Sequence, residues 1–243
     1  MLKYQMYIGG EFVNAAGGAT YLSINPWNTE PFAEVPKASA SDAEKAIAAT
    51  RKAFDDGPWP RMSGAERSAL IGKVAERIKE RMKDLASLEA QDSGGTITKC
   101  GADTHLAQRQ MGYFAEQAKL YNAEPHAIEG LQREGRSFSY EVREPIGVCA
   151  QIIPWNFPLL MAVWKLGPAL ATGNCVILKP ATDTPVNALE LAKIFDEVGF
   201  PPGVVNVISG PSGAIGDVLT SHKDVDKIAF TGSTEGGRHI MGK

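Results

Sequence analysis

The sequence predicts an α/β fold whose core is a partial parallel sheet, preceded by N-terminal helices and a hairpin and carrying a projecting β-hairpin arm. Three observations predict it. From Gly147 onward, short β-rich runs alternate with helical segments: GVCAQII, the helix Leu159 to Ala171, CVILK, the helix Val186 to Val198, VVNVI, a short helix near Ile215 to Thr220, and KIAF. Strands alternating with helices in this way give a parallel, Rossmann-like sheet. Before Gly147, two capping-box patterns open amphipathic helices. Between the two regions, Asn122 to Arg143 breaks helical periodicity with Pro125, Gly130 and Gly135, while SFSYEVRE alternates like an exposed strand.

Taken in order, Tyr4 to Val13 alternates around Ile8-Gly9-Gly10-Glu11 and reads as a hairpin, and a further strand follows near Tyr21 to Ile24. Ser41 with Glu44 caps the helix carrying AIAATRKAF, and Ser63 with Glu66 caps the one carrying Leu70, Val74 and Ile78. Asp84 to Ala90 and Asp103 to Tyr121 are also helical by pattern. Gly199 followed by Pro201-Pro202 stops the helix Val186 to Val198. Residues 1–121 and 144–243 read as one domain and 122–143 as the arm, with a further strand expected after Lys243. No internal repeat interrupts this order.

Composition narrows the function classes. The 243 residues carry ordinary apolar and charged fractions, 44% and 22%, which is enough to bury a sizeable core. A net charge of −3 offers no basic footprint for nucleic acid. No apolar run approaches the roughly 20 residues that span a bilayer, and MLKYQMYIGG lacks a signal-peptide pattern, so a cytoplasmic protein is expected. Cys100, Cys149 and Cys175 form no CxxC pair and no even-numbered framework. Cys149 and Cys175 fall in strands, where cysteine acts as a small buried hydrophobe. The histidines show no ligand spacing.

Two segments carry chemistry. Gln151 to Thr182 reads QIIPWNFPLLMAVWKLGPALATGNCVILKPAT. Pro154 and Pro158 bracket Asn156 at a strand end, where small molecules bind in open α/β sheets. Held there, the amide can donate to a developing oxyanion; a bracketed Asn can equally be a turn residue satisfying its own backbone. Lys179 is a ligand-binding or a solvated strand-end charge, and Trp155, Phe157 and Trp164 are site or core. The second segment, Phe230 to Gly237, is a glycine-rich strand-to-helix turn, FTGSTEGG. Gly232 and Gly237 permit close backbone approach, and Ser233 at a helix N-terminus suits a pyrophosphate, although such turns are often structural only.

The motifs IIPWNFP, WKLGPALATGN, LKPAT followed by TP, GFPPGVVNV and DVDKIAFTGST, in this order and at consistent separations, closely resemble the aldehyde dehydrogenase superfamily over nearly the whole chain. The resemblance implies NAD or NADP as cofactor. Backbone groups of Ile152, Ile153 and Pro154 and the ring of Trp155 would line its groove. Lys179 would hydrogen-bond the adenosine ribose, and Gly232, Ser233 and Gly237 would form the dinucleotide-binding turn. Many members preferring NAD carry a Glu three positions after this Lys. Here Thr182 stands in that place, and losing the carboxylate's repulsion of a 2′-phosphate predicts that NADP is tolerated.

The family's mechanism has a Cys thiolate attack an aldehyde; the thiohemiacetal gives up hydride to the nicotinamide, and a Glu base activates the water that hydrolyses the thioester. Asn156 would be the oxyanion donor and Lys165 a proton relay, while Phe157, Leu160, Met161 and Trp164 match substrate-tunnel positions, with ordinary helix packing the alternative for Met161 and Trp164. The arm at 122–143 would be an oligomerisation hairpin of a homo-oligomer. Family subunits are about twice as long, and their nucleophile and base fall beyond Lys243. The resemblance therefore implies a truncated chain lacking the catalytic domain and inactive alone. A non-catalytic dinucleotide-binding remnant and a structural partner of a full-length subunit are the alternatives.

One departure concerns Asp92-Ser93-Gly94-Gly95-Thr96, where many members have a Gly-Lys pair. Asp92, with Ser23 and Asp183, falls at positions resembling a structural monovalent-cation site, or Asp92 and Asp183 are two exposed acids that form nothing; the pattern assigns no metal.

Overall fold

The structure, a computed structural model, describes residues 1–121, 126–127 and 140–243. Its first elements are short strands set by glycine and alternation. β1 (Leu2–Lys3) precedes β2 (Met6–Ile8) and β3 (Glu11–Val13), which pair antiparallel around Gly9 and Gly10 at φ 65° and 90°. Glycine adopts these angles without Cβ strain, which fixes the hairpin the sequence predicts. β4 (Thr20–Ile24) is the predicted strand, and β5 (Pro31–Pro36), which no local pattern announced, joins it in a sheet of order β1-β5-β4.

α1 (Ala40–Asp55) starts two residues earlier than the Ser41–Glu44 pattern predicts. The cap is Ser39, whose N–H and hydroxyl both donate to Asp42 Oδ2 at 2.8 Å, while Ala16 N–H donates to the same carboxylate at 3.0 Å. A buried acid with these partners wins over the exposed Glu44. α2 (Gly64–Glu80) begins at the predicted box, with Ser63 N–H donating to Glu66 Oε2 at 2.7 Å. α3 (Met82–Ser93) and α4 (Ile97–Tyr121) both run longer than their patterns suggested, separated by Gly94 at φ 72°. β6 (His126–Ala127) pairs antiparallel with β7 (Tyr140–Glu141), consistent with a hairpin; the rest of the predicted arm, 122–125 and 128–139, lies outside the described residues.

The second half follows the predicted alternation: β8 (Val148–Ile152), α5 (Pro158–Ala171), β9 (Cys175–Lys179), α6 (Val186–Val198), β10 (Val205–Val207), α7 (Ser212–Ser221), β11 (Lys227–Phe230) and α8 (Thr234–Met241). The sheet order is β11-β8-β9-β10-β2-β3: four parallel strands extended by the antiparallel N-terminal hairpin. Alternation along the buried strands sorts the core into two faces. Val148, Ala150 and Ile177 meet Ile47 of α1 and Ile215 and Leu219 of α7, whereas Val176 and Leu178 join the cluster containing Val163, Leu166, Leu189, Phe195 and Met111 from α4, α5 and α6. In register, Ile152 pairs with both Lys179 and Phe230, so the carboxyl ends of β8, β9 and β11 are level. Ligands bind outside such ends in open α/β sheets.

Candidate functional site

Three connections leave those level strand ends. The first, after β8, keeps two sheet-like bonds: Thr231 N–H donates to Ile152 O at 3.1 Å and Ile153 N–H to Lys179 O at 3.2 Å. Pro154, Trp155 and Asn156 then turn away from the sheet, with Trp155 60% exposed. The exposed side-chain amide of Asn156 makes no hydrogen bond to any described residue, so it is not a turn residue satisfying its own backbone. The Asn156 carbonyl is tied instead, accepting from Lys99 Nζ at 3.0 Å. Phe157 precedes the helix with non-helical φ −142° and ψ 65°, and Pro158 takes the first helical position, where its missing N–H costs nothing.

Along α5 the four predicted tunnel residues separate. Leu160 and Met161 are buried in the core, Phe157 is half-buried, and Trp164 is 46% exposed. Lys165 is half-buried, and burial pushes its ammonium below the usual lysine range. It lines a cavity of about 430 Å³ with Cys149, Gln151, Trp164, Asn174 and Lys227, and its carbonyl accepts from Gln151 Nε2 at 2.8 Å.

The second connection starts at Lys179, which is not a solvated strand-end charge: it is 1% exposed. Its Nζ donates to Pro180 O at 3.0 Å and to Ser212 Oγ at 3.1 Å, bridging the end of β9 to the start of α7. Burial pushes the ammonium down to about 8, with Asp183 opposing the shift. Thr182, three residues on, donates its hydroxyl to Gly210 O at 3.2 Å. Ser212 escaped the sequence reading because nothing local marks a serine 33 positions away as a lysine's partner.

The third connection is the glycine-rich turn after β11. Ser233 caps α8, its hydroxyl accepting from Gly236 N–H at 3.0 Å. A Cβ at Gly232 would stand 2.5 Å from Phe230 Cζ, and one at Gly236 2.9 Å from the same atom. The close approach these glycines permit is thus met first by a ring of this chain. Gly237 has ordinary room, 3.8 Å to the Phe230 ring.

A cleft of about 500 Å³ joins Trp155 and Thr182 with Tyr21, Ser23, Asp92 and Asp183. Asn156, Lys179, Gly232 and Ser233 do not line it. Asp92 corrects the expectation of two exposed acids: it is 2% exposed, accepting from Ser23 Oγ at 2.6 Å and from Val186 N–H at 2.9 Å. Burial pushes its carboxyl up to about 7. Asp183 is exposed. Among the described residues, no group of three or more His, Cys, Asp or Glu is placed to hold a metal ion. The three cysteines are buried, as expected for Cys149 and Cys175, and burial pushes the thiols of Cys149 and Cys175 up to about 11 and about 12 and raises that of Cys100. A thiol in such surroundings is inert rather than nucleophilic. No helix among the described residues is long and apolar enough to cross a membrane.

Parallel strands ending level, with a buried lysine, a free amide and a capped glycine turn at their carboxyl ends, define a Rossmann-like domain. The chain belongs to the aldehyde dehydrogenase family, whose sequence model matches residues 12–243. It is 47% identical over 238 residues to the putative aldehyde dehydrogenase DhaS of Bacillus subtilis (strain 168), covering 98% of this chain and 47% of that protein. It is 43% identical to the mitochondrial benzaldehyde dehydrogenase of Antirrhinum majus, covering 98% of this chain and 44% of that one. Among solved structures, the NAD-dependent aldehyde dehydrogenase from Sinorhizobium meliloti superposes with a TM-score of 0.95 at 38% identity, covering 99% of this chain and 47% of that one. Betaine aldehyde dehydrogenase from Staphylococcus aureus, solved in complex with NAD+, gives 0.94 at 39% identity, over 99% of this chain and 47% of that one. The chain spans about half the length of the relatives it matches.

Proposed function

We propose that these residues form the NAD(P)-binding half of an aldehyde dehydrogenase, cytoplasmic and homo-oligomeric, that oxidises a small-molecule aldehyde to a carboxylic acid. The observation that carries this reading is the exposed Asn156 amide, unpartnered among the described residues, at the carboxyl end of β8 beside the strand that ends in Lys179. An amide donor at a strand end, unpartnered among the described residues, is available to charge that appears only during reaction.

The residues fit a dinucleotide. Lys179 Nζ has three N–H donors and uses two, on Pro180 O and Ser212 Oγ. Among the described residues the third has no acceptor, and it would serve a ribose hydroxyl. Trp155 supplies an exposed ring as a wall, and the start of α8, with Ser233 at its cap, offers N–H groups and a positive dipole end to a pyrophosphate. A bound nicotinamide would supply the hydride acceptor for the substrate carbon. Asn156 donates to the substrate oxygen as it gains charge, and Lys165 moves a proton at the cavity it shares with Gln151 and Trp164. Phe157 and Trp164, the predicted tunnel residues that are not fully buried, face the aldehyde.

With Cys100, Cys149 and Cys175 buried and their thiols pushed up, the attacking sulfur and the general-base Glu come from the remainder of the parent subunit, and residues 1–243 do not oxidise aldehydes alone. Calorimetric titration of the 243-residue chain with NAD+ and NADP+, beside a turnover assay with short aliphatic and aromatic aldehydes, tests both claims. Binding without turnover is expected. Failure to bind either nucleotide overturns the cofactor reading, and turnover by the pure chain overturns the assignment of the nucleophile.

A further inference from the structure

Lys99 lies in the first turn of α4, a helix whose sequence pattern gave it no role. Its Nζ donates to the Asn156 carbonyl at 3.0 Å and to Asp103 Oδ2 at 2.7 Å, and stands 4.2 Å from the centroid of the Phe157 ring. Asp103, one turn further along α4, is itself largely buried, so the ammonium is held from behind while it reaches across to the turn. The two prolines do not do this work. Pro154 fixes its own φ and restricts Ile153, and Pro158 restricts Phe157. Trp155 and Asn156 have no such restraint, and the Asn156 carbonyl oxygen moves with its own ψ. A cation bound to that oxygen restrains this ψ, and its place over the Phe157 ring restrains the next residue through a cation–π contact.

We propose that Lys99, held by Asp103, is a positioning residue for the Asn156 amide, orienting it by anchoring the Asn156 carbonyl and the Phe157 ring. The inference rests on Asn156 being the oxyanion donor. Lys99 touches the turn from a partly exposed position rather than from the core, so removing its charge loosens the turn without opening a cavity.

Two measurements test it. In the 243-residue chain, Lys99→Met is expected to speed amide hydrogen exchange across residues 156–161 about tenfold while the urea midpoint stays put, and Lys99→Arg is expected to restore most of the protection. In the intact parent subunit, Lys99→Met is expected to lower kcat about tenfold with the Kd for NAD+ unchanged. Combined with Asn156→Ala it should cost nothing beyond Asn156→Ala alone, because a residue acting through Asn156 has nothing left to position. Unchanged exchange, unchanged kcat, or losses that add in the double variant would each overturn the proposal. Asn156→Ala leaving kcat intact would overturn the oxyanion reading itself, and the exchange measurement on the shorter chain still reports separately whether Lys99 holds the turn.

Discussion

Replacing Lys179 with methionine is expected to stabilise the fold at neutral pH while removing the cofactor contact. Burial lowers the ammonium from 10.5 to about 8, a shift of about 2.5 units that costs about 3 kcal/mol at roughly 1.4 kcal/mol per unit. Because the folded value lies below the unfolded one, that cost is fully present below about pH 8 and fades as pH rises toward 10.5. Methionine removes it but forfeits the bonds to Pro180 O and Ser212 Oγ, worth about 1 kcal/mol each. The net is a gain of about 1 kcal/mol at pH 7 and a loss of about 2 kcal/mol once the lysine is neutral in both states. Urea unfolding of the two proteins at pH 7 and pH 10.5, followed by circular dichroism, should show the difference changing sign, and calorimetry at pH 7 should show nucleotide affinity falling at least tenfold. A stability difference identical at both pH values, or a variant already weaker at pH 7, refutes the reasoning that a buried charge is being held at a cost to stability for a ligand.

Other perturbations have equally definite outcomes. Thr182→Glu restores a carboxylate three residues after Lys179 and should raise the ratio of NAD+ to NADP+ affinity about tenfold or more by titration, and an unmoved ratio removes the specificity argument. Gly147→Ala places a Cβ 1.9 Å from Asp226 Oδ2 at φ 133°, against a carboxylate that already accepts from Val148 N–H and Arg51 at 2.7 Å each. It should cost about 2–4 kcal/mol in denaturant unfolding, and a loss within experimental error would show that the strand start can shift. Asp92, with its carboxyl raised from 3.8 to about 7, binds its proton more tightly folded than unfolded, so its contribution falls as pH climbs from about 4 through 7. The stability of the native chain minus that of Asp92→Asn should drop by about 4 kcal/mol over that window, and a flat difference contradicts the burial argument.

The sequence made legible what depends on neighbours within one element. The residues of β8 to α8 alternate with clean glycine and proline stops, so the elements appear within a few residues of their predicted bounds, and Asn156 and Lys179 both fall within one contiguous segment, Gln151 to Thr182. What stayed hidden depends on partners far along the chain. Lys99 and Asn156 are 57 positions apart, and no helical pattern singles out one partly exposed lysine. The hairpin's place at the edge of the main sheet rests on one register pairing, Val207 with Tyr7, which neither segment encodes alone. Asp92 looked like a surface acid because polar residues are usually exposed, and only Ser23 and the start of α6, both distant in sequence, supply the donors that let it be buried. Ser39 displaced Ser41 for a similar reason, since Asp42 serves Ala16 as well as its own helix.

The buried acids of α3 explain how the site keeps its shape. Glu89 and Asp92 stand three residues apart on one helix face, and each accepts a backbone N–H from the start of a different helix: Leu159 of α5 at 3.1 Å and Val186 of α6 at 2.9 Å. Acceptors at helix N-termini satisfy orphan donors and oppose the positive end of the dipole. Asn187 Nδ2 adds a bond to Glu89 at 2.7 Å, cross-linking the two sites, while burial pushes the Glu89 carboxyl up. The helices capped in this way follow the Asn156 turn and the Lys179 connection respectively, so a single strut from outside the sheet fixes both halves of the site against each other. Lys179 ties the end of β9 to the start of α7 in a different way, donating to Ser212 Oγ rather than accepting a backbone N–H. A side chain that must be preorganised before ligand arrives is thereby set by five buried or half-buried ionisable groups, Glu89, Asp92, Lys99 with Asp103, and Lys179, rather than by the stiffness of the proline turn alone.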